Sequence, residues 1–136
     1  MQLQPEFIRR GNERILFVDD EEMIVNSVQT MLQHLGYNVT ALMDSQGALK
    51  LFSENPSQFD LVIADQTMPF MTGEDLGKTF MRIRPDIPVI LFTGYSDLIS
   101  SEEAMSKGFR GFIMKPFTVR EGAELVRRVL DQKEPK

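Results

Sequence analysis

The chain has 136 residues, a net charge of -5, one histidine and no cysteine. That length suits one domain with a core large enough to fold without cross-links, while the absence of cysteine excludes disulfides and thiolate metal sites and the lone His34 excludes a multi-histidine site. An acidic chain without a basic stripe is a poor nucleic-acid partner, no apolar stretch approaches membrane-spanning length, and the N-terminus lacks a signal-peptide core, so a cytoplasmic protein is expected.

Residues 1–13 show no period and read as a flexible leader or linker. Arg14 to Val18 is predicted as a strand. A helix follows, with Ile24, Val28, Met31, Leu32 and Leu35 on one face and Gly36 as its stop. Tyr37 to Leu42 reads as a second strand, and Ser45 as the cap of a second helix that buries Ala48, Leu49 and Phe52 and ends near Asn55-Pro56. Asp60 to Ala64 is the third strand. The loop 65–72 leads to a third helix that buries Leu76, Phe80 and Ile83 and stops at Pro85. Ile87 to Phe92 is the fourth strand, and 96–107 a helix weakened by Ser96, Ser100, Ser101 and Ser106. Arg110 to Met114 is the fifth strand. Thr118 caps a last helix whose inner face carries Val119, Ala123, Val126 and Leu130, and 132–136 is a polar, flexible tail.

Five strand–helix units in succession predict an α/β fold: a doubly wound, five-stranded parallel sheet with helices on both faces. Strands one, three, four and five are apolar almost throughout, as strands covered on both faces must be. The second is mixed and fits an edge, so the expected order is 2-1-3-4-5. The domain is read as 14–131.

Each of the four apolar strands delivers a polar group at its C-terminal end: Asp19-Asp20, Asp65, Thr93-Gly94 and Lys115-Pro116. In an open parallel sheet those ends form the ligand crevice. Three carboxylates about 5 Å apart repel by roughly 3 kcal/mol per pair at an effective dielectric of about 20. Such a cluster needs a cation or a shared proton. Mg²⁺ prefers a few carboxylates with carbonyls and waters, and Lys115 adds a further positive charge. A carboxylate that attacks a phosphoryl donor becomes an acyl phosphate, with metal and lysine neutralising the equatorial oxygens. Thr93 would hydrogen-bond the phosphoryl group, and Gly94 leaves it room.

Taken singly, each feature has a structural alternative. Asp19-Asp20 would cap the first helix, Asp65 would be a loop acid, Lys115 a solvated lysine and Thr93-Gly94 an ordinary turn. The methionines read as gap-fillers, His34 as exposed, and Arg127 and Arg128 as a solvated face.

The runs Val18-Asp19-Asp20-Glu21, Ala64-Asp65-x-x-Met68-Pro69-x-Met71-x-Gly73, Phe92-Thr93-Gly94 and Met114-Lys115-Pro116-Phe117, in this order and spacing, resemble the receiver domain of two-component signalling, the flavodoxin-like fold of the chemotaxis response regulator. The resemblance implies that Asp65 is the phosphoacceptor. It implies that Asp20, Asp65 and the backbone carbonyl of Thr67 bind Mg²⁺, with Asp19 acting through metal-bound water. Thr93 and Lys115 would contact the phosphoryl oxygens, the Lys115-Pro116 bond would be cis, and Phe112 would swing inward with Thr93. Thr67 and Tyr95 occupy the positions that tune phosphoryl lifetime, and a bulky Tyr95 would shield the acyl phosphate.

The implied function is a phosphoacceptor switch, not a stand-alone enzyme. A histidine kinase or histidine phosphotransfer domain would supply the phosphoryl group. The face of the fourth helix, fifth strand and fifth helix would respond, and would serve a homodimer. Two versions are open, a single-domain response regulator and a piece of a larger protein, such as a hybrid sensor kinase or another multidomain regulator; the leader and the ending lean towards the second. Two other classes remain: a phosphorylation-independent interaction module, and a Mg²⁺-dependent aspartyl phosphatase. The second needs an acid two residues after its nucleophile, where this chain has Thr67.

Overall fold

Runs rich in branched and aromatic side chains form the five strands, and four of the five are closed by a polar residue. In the computed structural model, which describes residues 8–94 and 99–132, these are β1 (Arg14–Val18), β2 (Asn38–Leu42), β3 (Leu61–Asp65), β4 (Val89–Thr93) and β5 (Gly111–Met114). They alternate with α1 (Glu22–His34), α2 (Ser45–Glu54), α3 (Gly73–Ile83), α4 (Ser101–Ser106) and α5 (Val119–Asp131). All pairings are parallel, in the order 2-1-3-4-5, as expected. Every residue of β3 and β4 is buried, whereas β2, at the edge, is only partly so.

The period-two alternation of the strands feeds two cores. Ile15, Phe17, Ile63, Ile90 and Phe92 face α1 and α5, packing on Val28, Leu32, Ala123 and Val126. Leu16, Val18, Val62, Val89 and Leu91 face the other layer, with Phe52, Leu76, Phe80 and Ala104. Phe52 and Phe80 stack with centroids 4.3 Å apart and tie α2 to α3.

Several boundaries differ from the sequence reading. Tyr37 precedes β2 but is buried in the core. Ser45 is the first residue of α2 rather than its cap. Asp44 takes that role, its carboxylate accepting from the Gly47 N–H at 3.1 Å. Leu49 is only partly buried. Ile83 and Val119, read as core, are exposed at 39% and 47%, because each sits in a terminal turn beyond the sheet. The register of α5 instead buries Leu125 and Val129. Thr118 does cap α5, and Glu121 returns the bond to complete a capping box. A second box, Ser100 with Glu103, starts α4, so one serine read as weakening that helix in fact begins it. The start expected at residue 96 lies outside the described residues.

Arg127 is not part of a solvated face. Its side chain is 13% exposed and its guanidinium meets the Glu13 carboxylate at 2.6 Å and Asp131 at 2.9 Å. It also donates to the Arg10 carbonyl and the Tyr37 hydroxyl. Residues 8–13, within the stretch read as a leader, thereby meet α5; Arg9 pairs with Asp131, and the Gly11 N–H donates to the Leu35 carbonyl.

Removing a half-buried charge leaves its partner unpaired, whereas trimming an exposed one changes little. Arg127→Ala is expected to destabilise the domain by about 2 kcal/mol and Arg128→Ala by less than about 0.5 kcal/mol, read from urea unfolding midpoints at constant m.

Candidate functional site

Adjacent strands that end in register deliver their next residues to one place. Val18 pairs with Ala64, so Asp19 and Asp65 emerge side by side at the C-terminal edge of the sheet. Asp65 pairs across to Phe92, which brings Thr93 alongside. Lys115 follows β5, and its N–H donates to the Thr93 carbonyl at 2.8 Å. The Lys115–Pro116 peptide is cis, as the resemblance implies. On the far side of Asp65, the start of α3 closes in so tightly that a Cβ on Gly73 would collide with the Asp65 carbonyl oxygen.

Asp19, Asp20 and Asp65 each place a carboxylate oxygen within 4.8 Å of the others. Asp19 is 0% and Asp65 2% exposed; Asp20 is half-buried. One oxygen of Asp19 accepts from the Glu21 N–H at 2.9 Å. That bond fixes the carboxylate as the chain turns into α1. Lys115 Nζ lies 3.0 Å from Asp65 Oδ1 and 3.3 Å from Asp19 Oδ2, near enough to pair as charges. Its aligned hydrogen bond goes to Glu21 Oε1 at 3.0 Å. Asp19 Oδ2, Asp65 Oδ1 and Thr93 Oγ1 are therefore buried with no well-directed hydrogen-bond partner among the described residues.

The electrostatics follow from that crowding. Burial pushes the Asp65 carboxyl from 3.8 up to about 7; Lys115 opposes the shift, and the Asp19 and Asp20 charges add to it. Burial also raises Asp19, against the Glu21 N–H and Lys115. Burial works against the Lys115 charge, but Asp65, Glu21 and Asp19 outweigh it and hold the ammonium above its ordinary range. The ammonium also sits over the Phe92 ring, 4.9 Å from its centroid.

The donor set fits a hard divalent cation. Three carboxylates meet, and two of their buried oxygens lack a directed donor, which a small oxygen-seeking ion would satisfy. Thr67 lies two residues beyond Asp65 with its side chain exposed. Phe112 lies half-buried in β5, paired with Leu91, two residues before Thr93 and on the same face. His34 is exposed at the end of α1. Tyr95 lies outside the described residues.

Two contributors escaped the sequence reading. Glu21 holds Lys115, and the run of acids from Asp19 to Glu22 was the available signal. Phe92 supports the ammonium from below, and its place just before Thr93 on a buried strand was the only hint. A groove of about 1110 Å³ lies away from the carboxylates, between β5 and α5, and is lined by Phe112, Met114, Phe117 and Leu125 among others. The titratable groups converge at the sheet edge and not in that groove.

Residues 15–127 match a family model described as the response regulator receiver domain. A two-component response regulator of Arabidopsis thaliana is 36% identical over 108 residues, which cover 79% of this chain and 19% of that protein. The sensor kinase CckA of Brucella abortus is 28% identical over 91% of this chain and 13% of its own length. The chain thus spans less than a fifth of either relative. A response regulator receiver domain of Clostridium thermocellum superposes with a TM-score of 0.82 at 30% identity, covering 88% of this chain and 94% of the other.

Between about pH 4 and about pH 7 the folded state keeps a proton on Asp65 that the unfolded chain has released, so stability falls as pH rises through that window. Urea unfolding of the metal-free domain should show this decline, and Asp65→Asn should flatten it. Mg²⁺ at a hundredfold excess over its Kd should add about 2.7 kcal/mol at the upper end.

Proposed function

The chain belongs to the response regulator receiver domain family of two-component signalling, and from that premise we propose that Asp65 accepts a phosphoryl group from the phosphohistidine of a histidine kinase or histidine phosphotransfer domain. The observation that carries this is the meeting of Asp65 with Asp19, Asp20, Lys115 and the unpartnered hydroxyl of Thr93. An Asp65 oxygen attacks phosphorus, the P–N bond to the donor imidazole breaks, and the acyl phosphate P–O bond forms. The imidazole nitrogen keeps the electron pair and takes a proton from solvent.

For attack Asp65 must be ionised, and its carboxyl, raised by burial, is held back from that state. Mg²⁺, held by Asp20, Asp65 and the Thr67 carbonyl with Asp19 acting through bound water, would supply the charge that ionises it and screens the incoming phosphoryl oxygens. Lys115 adds a fixed ammonium within 3.0 Å of Asp65. The Thr93 hydroxyl has its donor capacity free among the described residues and would hydrogen-bond a phosphoryl oxygen. Small phosphodonors serve the same chemistry, because the groups that assist transfer belong to the receiver.

The response would be a population shift of the α4–β5–α5 face. α4 is a helix of six residues with Ala104 as its buried side chain, tied to α3 through Lys107 and Glu74 at 2.7 Å. So small an anchorage suits an element that moves. As Thr93 turns towards the phosphoryl group, Phe112 on the same face would follow into the space it leaves. That face would also serve a homodimer, and a multidomain parent, such as a cytoplasmic hybrid sensor kinase, would supply the output.

Incubation with Mg²⁺ and acetyl phosphate should give an acid-stable, hydroxylamine-sensitive phosphoryl group, detected by intact mass. Asp65→Asn should abolish it, and Lys115→Met should slow its formation by about a hundredfold. Sustained phosphate release from unrelated esters would instead place the domain among the phosphatases.

A further inference from the structure

Residues 8–13 form a strap whose contacts run in one direction. Followed backwards from β1, the Asn12 carbonyl accepts from the Asn38 side chain at the start of β2, at 3.4 Å. The Gly11 N–H donates to the Leu35 carbonyl just past α1, at 3.0 Å. Gly36, at φ +102°, leaves the space that the Gly11 carbonyl fills. The Arg10 carbonyl accepts from Arg127 in α5 at 3.2 Å, and the Arg9 guanidinium meets Asp131, at the end of α5, at 2.7 Å. The strap thus passes from β2 by way of α1 to the C-terminal end of α5. Arg9 and Asp131 both line the groove of about 1110 Å³ between β5 and α5, so the chain before Ile8 starts at the mouth of that groove.

The groove has an apolar floor of Phe112, Met114, Pro116, Phe117 and Leu125, and Met114 keeps 45% of its surface exposed. Phe112, Ile113 and Met114 all line it, although successive strand residues point to opposite faces. The groove therefore takes in the free edge of β5, the last strand of the sheet. It follows α5 from Asp131 to Glu121, about 15 Å at the helical rise, and continues to Phe117. Seven residues precede Ile8: Met1-Gln2-Leu3-Gln4-Pro5-Glu6-Phe7. Residues 1–13 share no single period, but these seven alternate apolar and polar without exception. An extended chain puts Leu3, Pro5 and Phe7 on one face and Gln2, Gln4 and Glu6 on the other. Extended, seven residues reach roughly 23 Å, enough to run the length of the groove. As a helix they would reach only about 10 Å, and Pro5 disfavours a helix through Gln4.

We propose that residues 1–7 of this chain lie extended in the groove between β5 and α5, antiparallel to β5, with Leu3, Pro5 and Phe7 on its floor. The segment is an intramolecular cover for that surface. The strap supplies the tether: with Ile8 packed on the core and Arg9 held by Asp131, the segment faces its groove at the high effective concentration of a short linker. A partner or a second copy that used the same surface would first have to displace it. Phosphoryl transfer to Asp65 is not required for the contact.

The chain has no cysteine, so Gln2→Cys gives a single attachment point for a nitroxide, on the polar face of the segment. In the isotope-labelled full chain, the nitroxide should broaden the amide signals of Phe117 and Glu121, at the far end of the groove, more than those of Asp131 and Gln132, where the segment enters. Reduction of the nitroxide should restore them. Phe7→Ser in the segment and Met114→Lys on the floor should each abolish that pattern, and Phe7→Leu should keep most of it. Broadening that is strongest at Asp131 and Gln132 and fades along α5 overturns the proposal, because an undocked segment gives that profile. A pattern that survives both Phe7→Ser and Met114→Lys overturns it too. Broadening of Phe117 in an isotope-labelled chain without nitroxide, mixed with an unlabelled chain that carries it, overturns it in favour of a segment donated by a second copy.

Discussion

Crowded carboxylates held out of water are the constraint around which the domain is arranged. Asp19 and Asp65 are almost fully buried, and Asp20 stands beside them. Taking one such charge from water costs several kcal/mol, and like charges in contact add to it. Lys115 offsets part of that, at 3.0 and 3.3 Å from the two buried acids, but one ammonium does not balance three aspartates and Glu21. The remainder appears as an Asp65 carboxyl that holds its proton up to about pH 7. The rest of the fold supplies the stability that this edge gives up. Two apolar cores clamp the sheet from both sides, and both acids sit directly at the ends of fully buried runs.

The strands were legible because burial on both faces leaves a plain signature: four or five apolar residues, then a polar one. The same signature located the site, since each strand end is a place in the crevice. Asp19, Asp20, Asp65, Thr93 and Lys115 meet because their strands are neighbours and in register, which the predicted order already implies. Periodicity was weaker where an element outruns the sheet. Ile83 and Val119 continue the apolar pattern of α3 and α5, yet in the terminal turns of their helices they stay partly exposed. Ser45 and Asp44 are both good caps in sequence, and only the backbone decides between them; the extended φ of -142° at Asp44 does so. Arg127 was misread for a different reason. Its partner Glu13 lies 114 residues away, and no local pattern reports an ion pair of that range.

Strain at Phe70, with φ of +70°, sets the loop between β3 and α3 apart from the turns around it. Gly36 and Gly108 also have positive φ, but each is a glycine that ends a helix at no steric cost. At Phe70 the chain accepts that cost and gains no burial. The loop is tied at Met68, Pro69 and Gly73, so the conformation is imposed by its surroundings and not chosen by the residue. A folding argument therefore predicts glycine there, where the chain has phenylalanine.

Lys115 links the acidic edge to the helix farthest along the chain. Its ammonium rests on Phe92, and Phe92 meets Phe117 edge-on with centroids 5.3 Å apart. Phe117 in turn lies so close over Gly122 that a Cβ there would come within 2.7 Å of its ring. A larger residue at 122 would push the ring away, so the small residue in α5 is part of the same stack. Packed interiors transmit displacement because they have little free volume to absorb it. A new anion at Asp65 that drew Lys115 towards it would act on the ring beneath, and so on Phe117 and α5. Contact alone does not make this a route for signalling. It does mean that the cation beside the carboxylates is packed, through Phe92 and Phe117, against α5.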